Sequence, residues 1–123
     1  MLPTALQLLE SGIIEQVQAL SPDLVISDAM YPWSNVVAQS LHIPIITSCS
    51  STFFSNEGID AMMGFLRDID YQKDCQRILN EKYSFDFDPA TVYCNYSEFT
   101  IVWTTEDFDE AAKADTTGKV RFF

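Results

Sequence analysis

Residues 22–54 read PDLVISDAMYPWSNVVAQSLHIPIITSCSSTFF. Leu24 to Ile26 is a short run of apolar residues without alternation, the pattern of a strand buried on both faces of a parallel sheet. Asp28 follows it, at the place where open α/β sheets put their working residues. Pro32 suits the first turn of a helix, where its missing N–H costs nothing. A helix from about Trp33 to Leu41 carries Val36, Val37, Ala38 and Leu41. It is long enough to return the chain across a parallel sheet and too short to be a domain. His42-Ile43-Pro44 turns the chain, and Ile45-Ile46 opens a second strand. Ser48, Ser50, Ser51 and Thr52 are read as a polar loop ahead of Phe53 and Phe54.

Upstream, apolar residues at Leu6, Leu9, Ile13, Ile14, Val17 and Leu20 have helical spacing across residues 4–20. Gly12 is the natural break, and Ser21-Pro22 the end, because the residue before a proline is pushed out of the helical region. Downstream, Ile59, Met62, Met63, Leu66 and Ile69 predict a helical stretch over 57–81. Tyr83 to Pro89 is expected as a loop. Phe99 to Trp103 is a third strand ending at Thr104-Thr105, Phe108 to Ala112 one helical turn, and Lys119 to Phe123 a fourth strand. The order α-β-α-β-α-β-(α)-β predicts an α/β fold, part of a Rossmann-like parallel sheet flanked by helices. Such a sheet exposes apolar edges, so the chain reads as a piece of a larger one.

Composition narrows the function. The 123 residues suffice for one modest domain, and 47% are apolar, enough for a core. Seven basic residues face eighteen acidic ones for a net charge of −11, and no Lys or Arg precedes Arg67. Nucleic-acid binding needs cations to displace counterions, so it is not expected. The acids Glu106, Asp107, Asp109, Glu110 and Asp115 read as a solvated face. No apolar run approaches the roughly 20 residues of a membrane span, and the amino-terminal residues carry no secretory signature, so the cytoplasm is the expected location. Cys49, Cys75 and Cys94 are odd in number and widely spaced, which suits idle reduced thiols and no metal site. The four glycines are isolated, so no phosphate-cradling loop is expected.

The run PDLVISDAMYPW with the later Ala38, Leu41, Pro44, Ser48, Thr52 and Phe53 resembles the amino-terminal domain of glycosyltransferases built from two Rossmann domains (GT-B type). The likeness is to the nucleotide-sugar-dependent group that includes macrolide transferases and plant and animal UDP-glycosyltransferases. Val92-Tyr93-Cys94-Asn95, FTIVWTTEDFD and Val120-Arg121-Phe122 extend it from about residue 4 to 122. The resemblance implies that residues 1–123 are the back half of an acceptor-binding domain, with the donor-binding carboxyl-terminal domain absent. It implies a complete enzyme that transfers a sugar from a UDP-sugar, its co-substrate, to a hydroxyl of a small lipophilic acceptor, with inversion and no cofactor or metal. A histidine base would take the acceptor's proton, and the aspartate matching Asp28 would orient that histidine and stabilise its charged form. That histidine would lie upstream of this chain. His42 is not it: the helix places it about 14 Å from Asp28. The partners implied are the acceptor and either the missing domain or a complementary chain.

Each residue also has a plainer reading. Asp28 is a helix cap or loop residue on one reading and catalytic on the other. Met30, Trp33, Phe53, Phe54 and Met62, with Met63 and Phe65, are candidates for an apolar acceptor pocket or for ordinary core. Phe53 and Phe54 are preferred, because two adjacent phenylalanines in extended chain cannot both face inward. Ser50 and Thr52 either bond an acceptor or cap the next helix. His42 reads as a surface residue. Two rival functions stand beside the transferase: a catalytically inactive acceptor-side or partner-binding module, and a flavodoxin-like regulator, which would want further acids at an earlier strand end and a lysine at a later one, neither of them apparent.

Overall fold

The computed structural model describes residues 2–50, 52–105 and 120–122. The expected first helix is two helices, α1 (Leu2–Glu10) and α2 (Ile13–Ala19). Gly12 divides them at φ 84°, a left-handed conformation that glycine adopts without steric cost. Ser21 also has positive φ, and Pro22 follows it.

Four strands form one wholly parallel sheet in the order β1-β2-β3-β4: β1 (Val25–Asp28), β2 (Ile45–Cys49), β3 (Phe99–Val102) and β4 (Val120–Phe122). The fold is therefore α/β and Rossmann-like, as the apolar runs predict. Three strand boundaries differ from expectation, one of them the end of β3, which falls at Val102 and leaves Trp103 just beyond the strand. β1 runs through Asp28, which is its last residue rather than one beyond it, and Ser48 belongs to β2 rather than to a polar loop. The connection α3 (Pro32–Leu41) has Pro32 in its first turn, and left-handed His42 closes it at the far end.

The helical stretch expected over 57–81 is interrupted. α4 (Asn56–Met63) gives way to a 3₁₀ segment, Gly64–Asp68, before α5 (Asp70–Tyr83). Gly64 is a poor helix former, and Ile69 is extended, so α5 starts afresh. Ser55 caps α4, accepting the Gly58 N–H at 3.2 Å, which leaves neither Ser50 nor Thr52 that task. The main core joins Leu9 of α1, Val36 and Val37 of α3, Cys75 and Leu79 of α5, and Phe87 and Val92 beyond it. The expected turn at Phe108–Ala112, the acidic cluster and the flanks Lys119 and Phe123 of the last strand lie outside the described residues.

Arg67 ties the 3₁₀ segment to its surroundings. It donates to both carboxylate oxygens of Asp88, at 2.8 and 2.6 Å, and to Asp60 at 2.6 Å. Asp88 also accepts the Ala90 N–H. The hydrogen bonds from Arg67 hold the Asp88 carboxyl below its usual range. A carboxyl depressed on folding adds stability that is complete above its unfolded pKa, about 4, and is lost as pH falls through the folded value. Arg67→Gln should therefore lower the melting temperature at neutral pH, and the gap to wild type should close on acidification. A gap that stays constant down through the acid range would show that this pair does not carry the effect.

The register assigns the sheet's two faces. Ile26, Ile46 and Phe99 form one row across the strands, and Asp28, Ser48, Ile101 and Arg121 form another two residues on. Side chains two apart share a face, so both rows lie on the same side. The opposite side carries Thr47, Cys49, Thr100 and Val102, all buried. The first side is the open one: Ile26 is 68% exposed and Phe99 39%. Strand order explains the asymmetry. The β1–β2 and β2–β3 crossovers step in the same direction, and right-handed crossovers that do so lay their connections over one face. No helix among the described residues is long and apolar enough to cross a membrane.

Candidate functional site

Asp28 closes β1 at the carboxyl end of the sheet, on its open face. Its Oδ1 accepts the Met30 N–H at 2.9 Å, and its Oδ2 accepts the Ser50 hydroxyl at 3.2 Å. The first bond is a local turn, the plainer of the two roles the sequence allows. The second crosses to the segment after β2. An ionised carboxylate has about four lone-pair sites, so about two remain to accept from a ligand or a base.

The chain after Asp28 is held from both sides. The Ala29 N–H donates to Ser48 O at 3.0 Å, and Ala29 O accepts the Asn95 N–H at 2.8 Å. The Asn95 side-chain amide donates to Ala29 O and Val92 O, both at 2.9 Å. Thr47 joins the same buried network, its hydroxyl donating to Asn95 O and accepting the Ser97 N–H. Asn95 is 7% exposed. Asn95→Ala would strand the Val92 carbonyl without its partner, at about 1–3 kcal/mol. Denaturant unfolding should show that loss, and hydrogen exchange at the Met30 amide should quicken. Unchanged exchange would mean that Asn95 does not hold the turn bearing Asp28.

A second group comes from the residue just after β3. The Trp103 N–H donates to Cys49 O at 3.1 Å, and its indole Nε1–H donates to Ser48 Oγ at 2.8 Å. The indole is thus fixed over the end of β2, beside Asp28's own row, and Trp103 remains 57% exposed. Sequence reasoning assigned Trp103 and Ser48 no role. Period-two alternation marks both as same-side residues, but bringing them together requires the β2–β3 register, which one sequence does not display.

The other predicted residues divide. Ser50 reaches Asp28 directly, and Met30 through its backbone, with a side chain 41% exposed. Phe53 stacks on Tyr96 at 4.5 Å and packs with Ala29, Cys49 and Val102. Phe54 packs with Ile59, Ala90 and Cys94. Contrary to the expectation that both cannot face inward, each is half-buried against a core cluster, because the chain at 52–55 is not a strand and two separate clusters flank it. Trp33 lies 4.7 Å from Tyr31 and packs against the main core. Met62 is exposed on α4, and Thr52 is exposed as well. His42 is exposed at the end of α3 away from Asp28. Burial raises the pKa of the Cys75 and Cys94 thiols, which suits packing rather than nucleophilic work.

A cleft of about 870 Å³ opens at the amino ends of the strands, lined by Leu24, Asn35, Pro44, Ser97 and Phe99 among others. It is the wrong end for a site in an open α/β sheet, whose ligands bind beyond the carboxyl ends. Among the described residues no three His, Cys, Asp or Glu side chains gather to hold a metal ion. No family model matches the chain, and no curated protein matches it in sequence.

Proposed function

We propose that this chain is the acceptor side of an inverting, nucleotide-sugar-dependent glycosyltransferase. The observation that carries the reading is Asp28: a carboxylate at the carboxyl end of a parallel strand, on the open face, with acceptor capacity unspent. In the proposed reaction Asp28 accepts the N–H of a histidine supplied from outside these residues. It fixes the tautomer and stabilises the imidazolium that forms. The histidine takes the acceptor hydroxyl's proton, and the oxygen attacks the anomeric carbon of a UDP-sugar. The bond from that carbon to the diphosphate breaks, and UDP leaves with the electron pair. Ser50 and the exposed Met30 border the acceptor's approach. The scarcity of cations assigns the diphosphate to other residues than these, either a further domain or a complementary chain.

The exposed Ile26 and Phe99 favour a second reading, a catalytically silent module that binds a partner over the open face. UDP release from UDP-glucose with 7-hydroxycoumarin separates the two. It is to be measured for the chain alone and for the chain joined to a histidine-bearing strand-loop-helix unit and a nucleotide-sugar-binding domain. Turnover in the joined protein alone is the expected result. A folded joined protein that binds both substrates without turnover would leave the silent module. Turnover by the chain alone would overturn the assignment of base and donor site to other residues.

A further inference from the structure

We infer that Trp103 and Ser48 form an acceptor-positioning pair beside Asp28, selecting flat aromatic molecules that carry a second oxygen next to the reacting hydroxyl. The inference rests on the acceptor-side reading and adds to it the class of molecule and the residues that choose it. Three observations lead to it. First, the indole is both exposed and fixed, held through its backbone N–H to Cys49 and its ring N–H to Ser48. An aromatic side chain held by two hydrogen bonds and still 57% exposed offers stacking at little conformational cost. Second, Ser48 Oγ spends an acceptor site on the indole, and its own proton has no acceptor among the described residues. That hydroxyl can donate to an oxygen placed beside it. Third, Ser48 and Asp28 are register partners on adjacent strands, with side chains on the same face. One molecule can therefore place one oxygen at each while its ring lies along Trp103. Met30 adds apolar surface at the rim. An apolar wall with a few placed polar groups is the usual make-up of a small-molecule site.

The test uses the whole chain, no sugar nucleotide, and two probes: 7-hydroxycoumarin and its 6,7-dihydroxy analogue. Isothermal titration calorimetry should show the dihydroxy compound binding more tightly by roughly 2–10-fold, the range of one neutral hydrogen bond. Trp103→Leu should weaken both by about 10-fold, the upper range of an aromatic contact. Ser48→Ala removes the donor and should abolish the preference, whereas Trp103→Phe keeps a flat ring and the Ser48 hydroxyl but loses the N–H that orients it, and should reduce the preference without the full 10-fold loss of Trp103→Leu. Far-UV circular dichroism checks that each variant is folded, and Trp103→Phe and Ser48→Ala decide the matter if Trp103→Leu is not. Absence of binding by the wild-type chain, equal affinity in a folded Trp103→Leu, or a preference that survives both milder variants would overturn the pair. Because no sugar is transferred, a failed glycosyl transfer would leave a positive binding result standing.

Discussion

Under the proposed acceptor-side reading, Asp28→Asn, placed in the chain joined to a histidine-bearing unit and a nucleotide-sugar-binding domain, is expected to lower kcat by roughly 10²–10⁴-fold while changing KM for the acceptor little. The substitution is nearly silent structurally. Asparagine Oδ1 still accepts the Met30 N–H, and its amide can donate to the Ser50 hydroxyl where Asp28 accepted from it. The turn survives and the charge does not. A neutral amide no longer stabilises an imidazolium, and with its NH₂ turned towards the histidine it favours the wrong tautomer. The loss therefore belongs in kcat, and the pH–rate profile should shift because the histidine loses its anionic neighbour. Full activity in a folded Asp28→Asn protein would remove Asp28 from the chemistry and leave only its turn.

The contrast between Asp28 and Trp103 shows what one sequence displays. The parallel α/β fold was legible because its causes are local. The apolar runs at 24–26 and 45–46 suit buried strands, Pro32 suits a first turn, and Gly12 suits a break. Asp28 was legible for the same reason, as a polar residue ending an apolar run. The interruption near Gly64 was hidden, because Ile59 to Ile69 keep helical spacing across a segment that changes to 3₁₀ geometry. Asn95 and the Trp103–Ser48 contact were hidden for a different reason. Each joins residues 55 or more positions apart, and only strand pairing decides which distant residues meet. Phe53 and Phe54 escaped the alternation rule, because the chain there is not a strand and each ring meets a core cluster of its own.

Leu79→Ala should produce the largest loss of stability, about 2–5 kcal/mol. Leu79 is 1% exposed and among the largest fully buried side chains. It reaches from α5 into the cluster where Leu9 of α1 and Val36 and Val37 of α3 converge. Removing its branched end withdraws apolar surface from burial and leaves a cavity walled by three helices that cannot all collapse into it. Against a usual domain stability of about 5–15 kcal/mol, that loss is a large share. The share is larger where one sheet face stays open and adds little burial. Leu79→Met, which conserves volume, should cost less than about 1.5 kcal/mol. Urea unfolding of the two variants separates packing from mere side-chain change: similar midpoints would mean that this helical layer is loosely packed. Leu79 belongs to the core among α1, α3 and α5, and Asp28 ends β1 on the open sheet face, so the two defects should separate cleanly. Asp28→Asn should lose rate at a native unfolding midpoint. Leu79→Ala should lose the midpoint, and whatever fraction stays folded should keep its affinity for a coumarin. A coumarin that binds the folded Leu79→Ala chain more weakly than wild type would show that the helical layer also sets the geometry at the strand ends.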